Sequence, residues 1–300
     1  MEKALVSVVI PTYKRPENLL RAIESVKTQT YPHIEIIVVD DNGMGTEWQQ
    51  FTQCMLHELI EDNTILYIVH EVNKNGSAAR NTGFAESKGE FVNFLDDDDV
   101  FEPTKIEKQM ECLARHDETF GACVCNTHIV GFNRSFTTHV AKEGNLVQDV
   151  LIGEACFNTS TVLFRRETFH AINGFDESFR RHQDWELYVR FFRRYKVCIC
   201  KESLLVKYNT PNIMTLNPLK GIEYKEKFLR TYETDLKQMP RWKEIYKCQY
   251  EMLALGLLKG GYKNIGWSYA RRAFGYGFPS MFVFAKYLYW TFKGKRTKNG

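Results

Sequence analysis

Four consecutive aspartates, Asp96 to Asp99, follow the apolar stretch Phe91-Val-Asn-Phe-Leu95. Two carboxylates about 4 Å apart repel by roughly 1 kcal/mol in water and about 4 kcal/mol at the effective dielectric of a protein edge. Four in succession therefore need a compensating cation or full exposure to solvent. Side chains at i and i+2 of an extended chain point the same way, which would let Asp96 and Asp98 face one partner while Asp97 and Asp99 face another. Oxygen-only ligands of this kind suit Mg2+ or Mn2+, which keep several waters and bind substrate phosphates as well. A solvated acidic turn is the plain alternative, but a strand as apolar as this one has no use for an idle charge cluster at its end.

Further acidic residues stand at the edges of regular elements. Asp40-Asp41 closes a second β-branched run, Ile34 to Val39. In Arg180-Arg-His-Gln-Asp-Trp-Glu-Leu-Tyr-Val-Arg-Phe191, Asp184 opens an amphipathic helix whose apolar positions are Trp185, Leu187, Tyr188 and Phe191. A helix-capping role would also satisfy Asp184. Asp96-x-Asp98-x-Val100 fits the D-x-D-x-[TV] nucleophile motif of a haloacid dehalogenase-type phosphatase, but that motif normally opens its domain and here residues 1–90 precede it.

The elements that must position these groups alternate between short β-branched runs and helical patterns, the mark of βαβ units and a largely parallel sheet. Val6 to Ile10 reads as the first strand, and Pro16 suits the opening turn of a helix that carries Leu19, Leu20, Ile23 and Val26 until Tyr31-Pro32. Ile34 to Val39 and Ile65 to Val69 make two more strands, Ser77 to Glu86 a helix, and Glu90 to Leu95 the strand that delivers the aspartates. Loops after such strands gather at the carboxyl edge of the sheet, where open α/β folds bind ligands, so Asp40, Asp41 and the aspartate run should share one crevice. Further on, a helix at Thr104 to His116, strands at Ala122 to Cys125 and Thr161 to Phe164, and a helix at Asp184 to Arg194 are legible. From about Lys220 the chain reads as helices separated by glycines, ending in Ser280 to Phe292 and the basic run Lys293 to Lys298.

The chain has 300 residues, 44% hydrophobic and 14% aromatic, enough for one large core or two modest domains. A mostly single-lobed protein is expected. The formal charge is +3, yet residues 251–300 hold nine Lys/Arg against one acid, +8, which leaves the first 250 residues at −5. Basic character thus belongs to the tail, and no nucleic-acid partner is expected. The start lacks an apolar run long enough for a signal peptide, and no apolar stretch reaches the roughly 18 residues of a spanning helix. A cytoplasmic location is expected. Cys123-Val-Cys125 and Cys198-Ile-Cys200 place thiols on one strand face with the wrong spacing for C-x-x-C zinc or redox motifs, and they read as reduced core residues.

Three segments in order, "VSVVIPTYKRPENLLRAIESVKTQTYPHIEIIVVDDNG", "NKNGSAARNTGFAESKGEFVNFLDDDD" and "GFDESFRRHQDWELYVRF", resemble the GT-A glycosyltransferases of family 2 over about residues 4 to 210. The resemblance implies an α/β GT-A domain over 1–215, Rossmann-like with a mostly parallel sheet, and a helical extension over 216–300 for acceptor, membrane-surface or oligomer contacts. It implies that Pro11, Thr12 and Tyr13 lie against the base of a UDP-sugar donor, although an ordinary strand-to-helix turn would also account for Pro11. It gives Asp41 to uracil, Gly76 and Arg80 to the nucleotide segment, and Asp96 to the ribose and sugar. Asp97 is placed beside them, and Asp98 becomes the direct ligand of Mn2+ or Mg2+. A surface helix position would equally suit Arg80.

Neither G-x-G-x-x-G nor G-x-x-x-x-G-K-[ST] follows the first strand, so base contacts and a metal must hold the ligand. Asp184 is implied as the base that deprotonates the acceptor hydroxyl, with Gln183 standing where many family members have Glu. A single base without an enzyme nucleophile implies inversion at the anomeric carbon. The implied acceptor is a glycan or lipid-linked saccharide in cell-surface polysaccharide synthesis. The segment "SMFVFAKYLYWTFKGKRTK" could lie on an anionic membrane surface, or Phe282, Tyr287 and Trp290 could pack on protein, including a second copy of the chain. A non-catalytic sugar-binding protein of the same fold is the remaining alternative.

Overall fold

The first strand, β1 (Val6–Thr12), is buried along its length except for a half-buried Pro11. Lys14 at φ 58° turns the chain out of it, and Pro16 then opens α1 (Pro16–Lys27), whose Leu19, Ala22, Ile23 and Val26 face the core. β2 (Ile34–Asp40), α2 (Glu47–Met55), α3 (His57–Glu61), β3 (Leu66–Val69), α4 (Gly76–Glu86) and β4 (Phe91–Phe94) follow. These four strands pair in parallel in the order β3-β2-β1-β4. That order brings the carboxyl ends of β1, β2 and β4 to one edge, as the βαβ pattern requires. α4 lies close on this sheet because Gly83 has no Cβ; one would stand 2.3 Å from Val9 Cγ1. Sequence reading passed over α2 and α3, whose polar faces blur the helical period.

The second half of the sheet is more irregular. It comprises β5 (Asp99–Phe101), α5 (Lys105–Leu113), β6 (Phe120–Val130), β7 (Phe136–Thr138), α6 (Val147–Ile152), β8 (Val162–Arg165), α7 (Arg166–Ala171), α8 (Gln183–Phe191) and β9 (Lys196–Tyr208). The sheet order is β3-β2-β1-β4-β8-β6-β9-β5, with β7 added to β6. β8 is antiparallel to β4 and β6, whereas β6 and β9 pair in parallel over most of their length. The expected four-residue strand at Ala122 to Cys125 is instead an eleven-residue β6, because β9 supports its polar continuation through register shifts at Cys125 and Asn126. The expected α/β class, with a mostly parallel sheet and helices at the C-terminus, is what the fold has.

Residues 3–131, 135–208 and 217–293 are described in this computed structural model. Contacts divide the chain into two compact units, residues 1–146 with 155–211 and residues 147–154 with 212–300. This differs from the mostly single-lobed expectation, because the C-terminal helices bury their apolar faces against one another. These helices are α9 (Pro218–Thr231), α10 (Glu233–Gln238), α11 (Trp242–Lys259), α12 (Lys263–Phe274) and α13 (Met281–Phe292), joined by α6. Gly266 lets α12 approach α11, since a Cβ there would stand 2.8 Å from Leu258 Cγ. Tyr287 of α13 is fully buried beside Trp267 and Phe274, whereas Met281, Phe282 and Phe292 are exposed. Among the described residues, no helix is long and apolar enough to cross a membrane. Of the basic run, only Lys293 falls among the described residues.

Candidate active site

β4 ends at Phe94, and the chain does not continue extended through the aspartates. Asp99 N donates to Asp96 O at 3.0 Å, closing a tight turn over Asp97 and Asp98, and β5 then starts at Asp99. The i, i+2 alternation expected of an extended run is therefore broken. The carboxylate oxygens of Asp96, Asp98 and Asp99 gather within 4.8 Å of one another. Asp97 points elsewhere, accepting from Thr12 Oγ1 at 2.9 Å and from Tyr13 N at 3.4 Å.

Each aspartate of the gathered set meets a cation from a different element. Arg80 Nη2 lies 2.5 Å from Asp96 Oδ1, Arg15 Nη1 lies 2.6 Å from Asp98 Oδ2, and Lys207 Nζ lies 3.0 Å from Asp99 Oδ1. Asp99 and Lys207 are register partners in the antiparallel β5–β9 pair, which fixes that contact through the backbone. Asp96 N also donates to Ser160 Oγ at 3.1 Å. Sequence reading missed Arg15, Lys207 and Ser160. Arg15 was visible as a cation in the turn after β1, but Lys207 is 108 residues from Asp99 and carries no local signal.

Arg80 is 8% exposed, so the surface-arginine reading does not hold. Asn75, at φ 96°, caps α4 through Ser77 N and Ala78 N. Gly76 leaves room there, because a Cβ would stand 3.0 Å from Arg80 Nη1. The guanidinium rests 5.5 Å from the centroid of the Phe175 ring, which packs in turn on Phe94 of β4. Arg80 Nη1 also donates to Gln183 Oε1 at 3.2 Å, tying α4 to the start of α8.

Asp184 lies in the first turn of α8, whose cap is His182 at φ 59°, so it is not the helix cap. Burial pushes its carboxyl up to about 6; Arg80 opposes this, Asp96 adds to it, and Lys207 opposes it weakly. Asp184 is therefore within electrostatic reach of the acidic cluster. Tyr188, one turn along α8, is buried with no hydrogen-bond partner for its hydroxyl among the described residues. Burial, followed by the Asp184 charge, pushes that hydroxyl well up.

Asp41 and Pro11 flank the same sheet edge. Asp41 N donates to Thr12 O at 3.0 Å, and Thr12 in turn donates to Asp97, which links the ends of β1, β2 and β4. Asp41 is 3% exposed, and its carboxylate meets His70 Nδ1 at 2.7 Å, Asn73 Nδ2 at 2.8 Å, Lys74 N at 2.8 Å and Asn75 N at 2.9 Å. Four partners match the acceptor capacity of a carboxylate, so in this structure Asp41 fastens the loop that leads into α4. Asp40 is buried and accepts from Tyr67 OH and Asn42 N, which gives it a structural part beside the site. Tyr13 is 39% exposed, with its ring near Lys14 Nζ.

The charges of the site do not balance. Asp96, Asp97, Asp98, Asp99 and Asp184 face Arg15, Arg80 and Lys207, a formal excess of two negative charges. Burial pushes the carboxyls of both Asp97 and Asp99 up to about 7. Asp96 is also driven up by burial, but Arg80 and Lys207 hold it below the usual carboxylate range. The all-oxygen set of Asp96, Asp98 and Asp99, with the uncompensated charges of Asp97 and Asp184 nearby, fits a hard divalent cation such as Mn2+ or Mg2+.

The family model described as Glycosyl transferase family 2 matches residues 7–193, which contain every aspartate of this site. The chain belongs to that family. It is 28% identical over 194 residues to the amylovoran biosynthesis glycosyltransferase AmsB of Erwinia amylovora, covering 61% of this chain and 62% of AmsB. Three of the curated relatives it matches are covered over only 27%, 62% and 63% of their own length.

Among solved structures, TarS 1–349 of S. aureus in complex with UDP-GlcNAc aligns with TM-score 0.61 at 15% identity, over 96% of this chain and 90% of that one. The mannosyltransferase PcManGT of Pyrobaculum calidifontis, in complex with GDP-Man and Mn2+, aligns with TM-score 0.59 at 16% identity, over 97% and 84%. Likeness at such identities speaks for the GT-A fold of this family 2 chain. The family match displaces the haloacid dehalogenase-type reading of Asp96.

Proposed function

We propose that this chain transfers a sugar from a UDP-sugar to a hydroxyl of a glycan or lipid-linked saccharide, with inversion at the anomeric carbon, in cell-surface polysaccharide synthesis. The observation that carries the reading is the Arg80 junction. One guanidinium contacts Asp96 on the donor side and Gln183 on α8, the helix whose next residue is Asp184.

In this reading Asp98, with Asp96 and Asp99 beside it, would hold Mn2+ or Mg2+. When bound, the ion supplies Lewis-acid stabilisation of the charge on the departing diphosphate. Asp184 takes the proton of the acceptor hydroxyl as that oxygen attacks the anomeric carbon. A pKa of about 6 leaves it largely ionised at neutral pH while still basic enough to act. No second carboxylate is assigned as a nucleophile, so displacement is direct and an α-linked donor gives a β-glycoside.

Pro11, Thr12 and Tyr13 border the base at the end of β1, and Gly76 and Arg80 border the phosphates at the start of α4. A contact between Asp41 and uracil requires one of its four present partners to yield. AmsB, named for amylovoran biosynthesis, and WcaA of Escherichia coli, putatively named for colanic acid biosynthesis, support the polysaccharide setting.

The helical residues 216–300 are assigned to acceptor or surface contacts. On α13, exposed Met281, Phe282, Tyr289 and Phe292 alternate with Lys286 and Lys293, a composition suited to an anionic membrane surface on the cytoplasmic side. A homo-oligomeric contact through the same residues is the competing arrangement. Anionic vesicles that fail to retain the protein, with or without residues 251–300, would refute the membrane assignment.

The central test is Asp184→Asn. It should abolish UDP release from a panel of UDP-sugars with Mn2+ while UDP binding, followed by calorimetry, persists. Undiminished transfer would remove Asp184 from its role. Intact binding of every UDP-sugar without transfer by the wild type would instead favour the non-catalytic alternative.

A further inference from the structure

The parallel pairing of β6 and β9 sets Cys123 opposite Cys198 and Cys125 opposite Cys200, all four buried. α5 packs over this face and adds Cys112, which is partly exposed. The Sγ atoms of Cys112, Cys123 and Cys198 all lie within 4.8 Å of one another. These three thiols come from three separate elements, which is why the spacing in sequence gave no metal motif.

A second observation comes from the same helix. Lys105 is fully buried, and its Nζ donates to Gln109 Oε1 at 2.7 Å and stands 4.0 Å from the centroid of the Phe101 ring. Among the described residues it has no carboxylate within ion-pair distance; burial pushes its ammonium down, opposed by the thiols of Cys125, Cys123 and Cys200, of which Cys123 belongs to the cluster. A buried ammonium without an anion is costly. A thiolate at Cys123 would lower that cost.

We propose that Cys112, Cys123 and Cys198 form a trithiolate site for one thiophilic divalent cation of the Zn2+ class. Zinc–sulfur bonds of about 2.3 Å in tetrahedral array put the sulfurs roughly 3.8 Å apart, so the cluster needs to contract by at most about an ångström. Binding converts three thiols to thiolates and releases three protons to solvent. The resulting centre bears one net negative charge. A water completes the coordination, entering past the partly exposed Cys112. Soft sulfur donors and the hard oxygens of Asp96, Asp98 and Asp99 select different ions, so the two sites need not compete. The ion would staple α5 to the strand that carries Lys207 to Asp99.

The test titrates Cd2+ into the reduced full chain and follows the cadmium–thiolate charge-transfer band in the ultraviolet. A band saturating at one equivalent, displaced by Zn2+ and not by Mn2+, is expected. Cys112→Ser and Cys123→Ser should each weaken Cd2+ binding by at least about tenfold, while Cys54→Ser, at an exposed position of α2, leaves it unchanged. Zn2+ should raise the Tm of the wild type and not that of Cys112→Ser. Because Cys112 is only partly buried, that variant should fold, and circular dichroism checks it should Cys123→Ser fail. The absence of a band in the reduced wild type, or an equal band and an equal Tm rise in Cys112→Ser, would overturn the proposal.

Discussion

Arg15 Nη1 stands 2.6 Å from Asp98 Oδ2 and 3.5 Å from Asp97 Oδ1, so an arginine of the β1–α1 turn already occupies the carboxylate proposed to ligate a metal. A cation arriving at Asp98 must displace this guanidinium or share the carboxylate with it. The Arg15 side chain is 38% exposed, so solvent screens the pair and its worth is about 0.2–1 kcal/mol.

Arg15→Ala should therefore tighten Mn2+ binding in the absence of nucleotide, by roughly 1.5- to 5-fold on that range. Calorimetric titration of Mn2+ into wild type and variant checks it. Weaker binding by the variant would show that Arg15 supports the ion rather than competing with it.

The proposed base makes a kinetic prediction. Asp184→Asn should lower kcat by about a hundred- to ten-thousand-fold, with little change in the affinity for UDP. In the wild type, transfer should rise with pH through about 6, as the Asp184 carboxyl loses its proton, and then level off. A pH–rate profile flat between about pH 5 and 7 would contradict the assignment.

Stability should respond to pH in the opposite direction. The carboxyls of Asp97 and Asp99 are raised to about 7 in the folded chain, chiefly by burial. Unfolded aspartates titrate near about 4. Between those values the native state holds more protons than the unfolded one, so these two groups make stability fall as pH rises. Bound Mn2+ would favour the ionised form of Asp99. The Tm gain on adding Mn2+ should accordingly be larger at about pH 7.5 than at about pH 5, and equal gains by thermal denaturation would count against Asp99 lying at the ion.

Asp41→Asn replaces two oxygens by one oxygen and an amide that faces donors. Its partners Asn73, Lys74 and Asn75 should lose alignment, at a cost of about 2–4 kcal/mol in unfolding free energy, given that hydrogen bonds to a charged group are worth more than neutral ones. Urea titration measures this. A variant with unaltered stability but lost UDP affinity would shift Asp41 from loop fastener to base contact.

The parallel half of the fold was legible because its strands are apolar runs of standard length between Pro, Gly and Asn signals. β1, β2 and β4 lie where Val6 to Ile10, Ile34 to Val39 and Glu90 to Leu95 placed them, within a residue or two. β9 was not legible, since Lys196 to Tyr208 mixes cysteines with charged residues and is held as a strand by β6 and β5. The three cysteines of the thiol cluster were visible one by one, but only the packing of α5 over the β6–β9 pair brings Cys112 to the other two.

Residue type and local pattern determined that carboxylates would collect at the carboxyl edge of a parallel sheet, because that depends on neighbours in sequence, while the family resemblance implied that Arg80 and Asp184 would meet them. Tertiary structure alone decided which carboxylates converge. The turn closed by Asp99 N on Asp96 O sends Asp97 towards Thr12, and the β5–β9 register sets Lys207 against Asp99. Both outcomes rest on backbone hydrogen bonds and strand pairing between distant segments, and no local pattern of side chains encodes them.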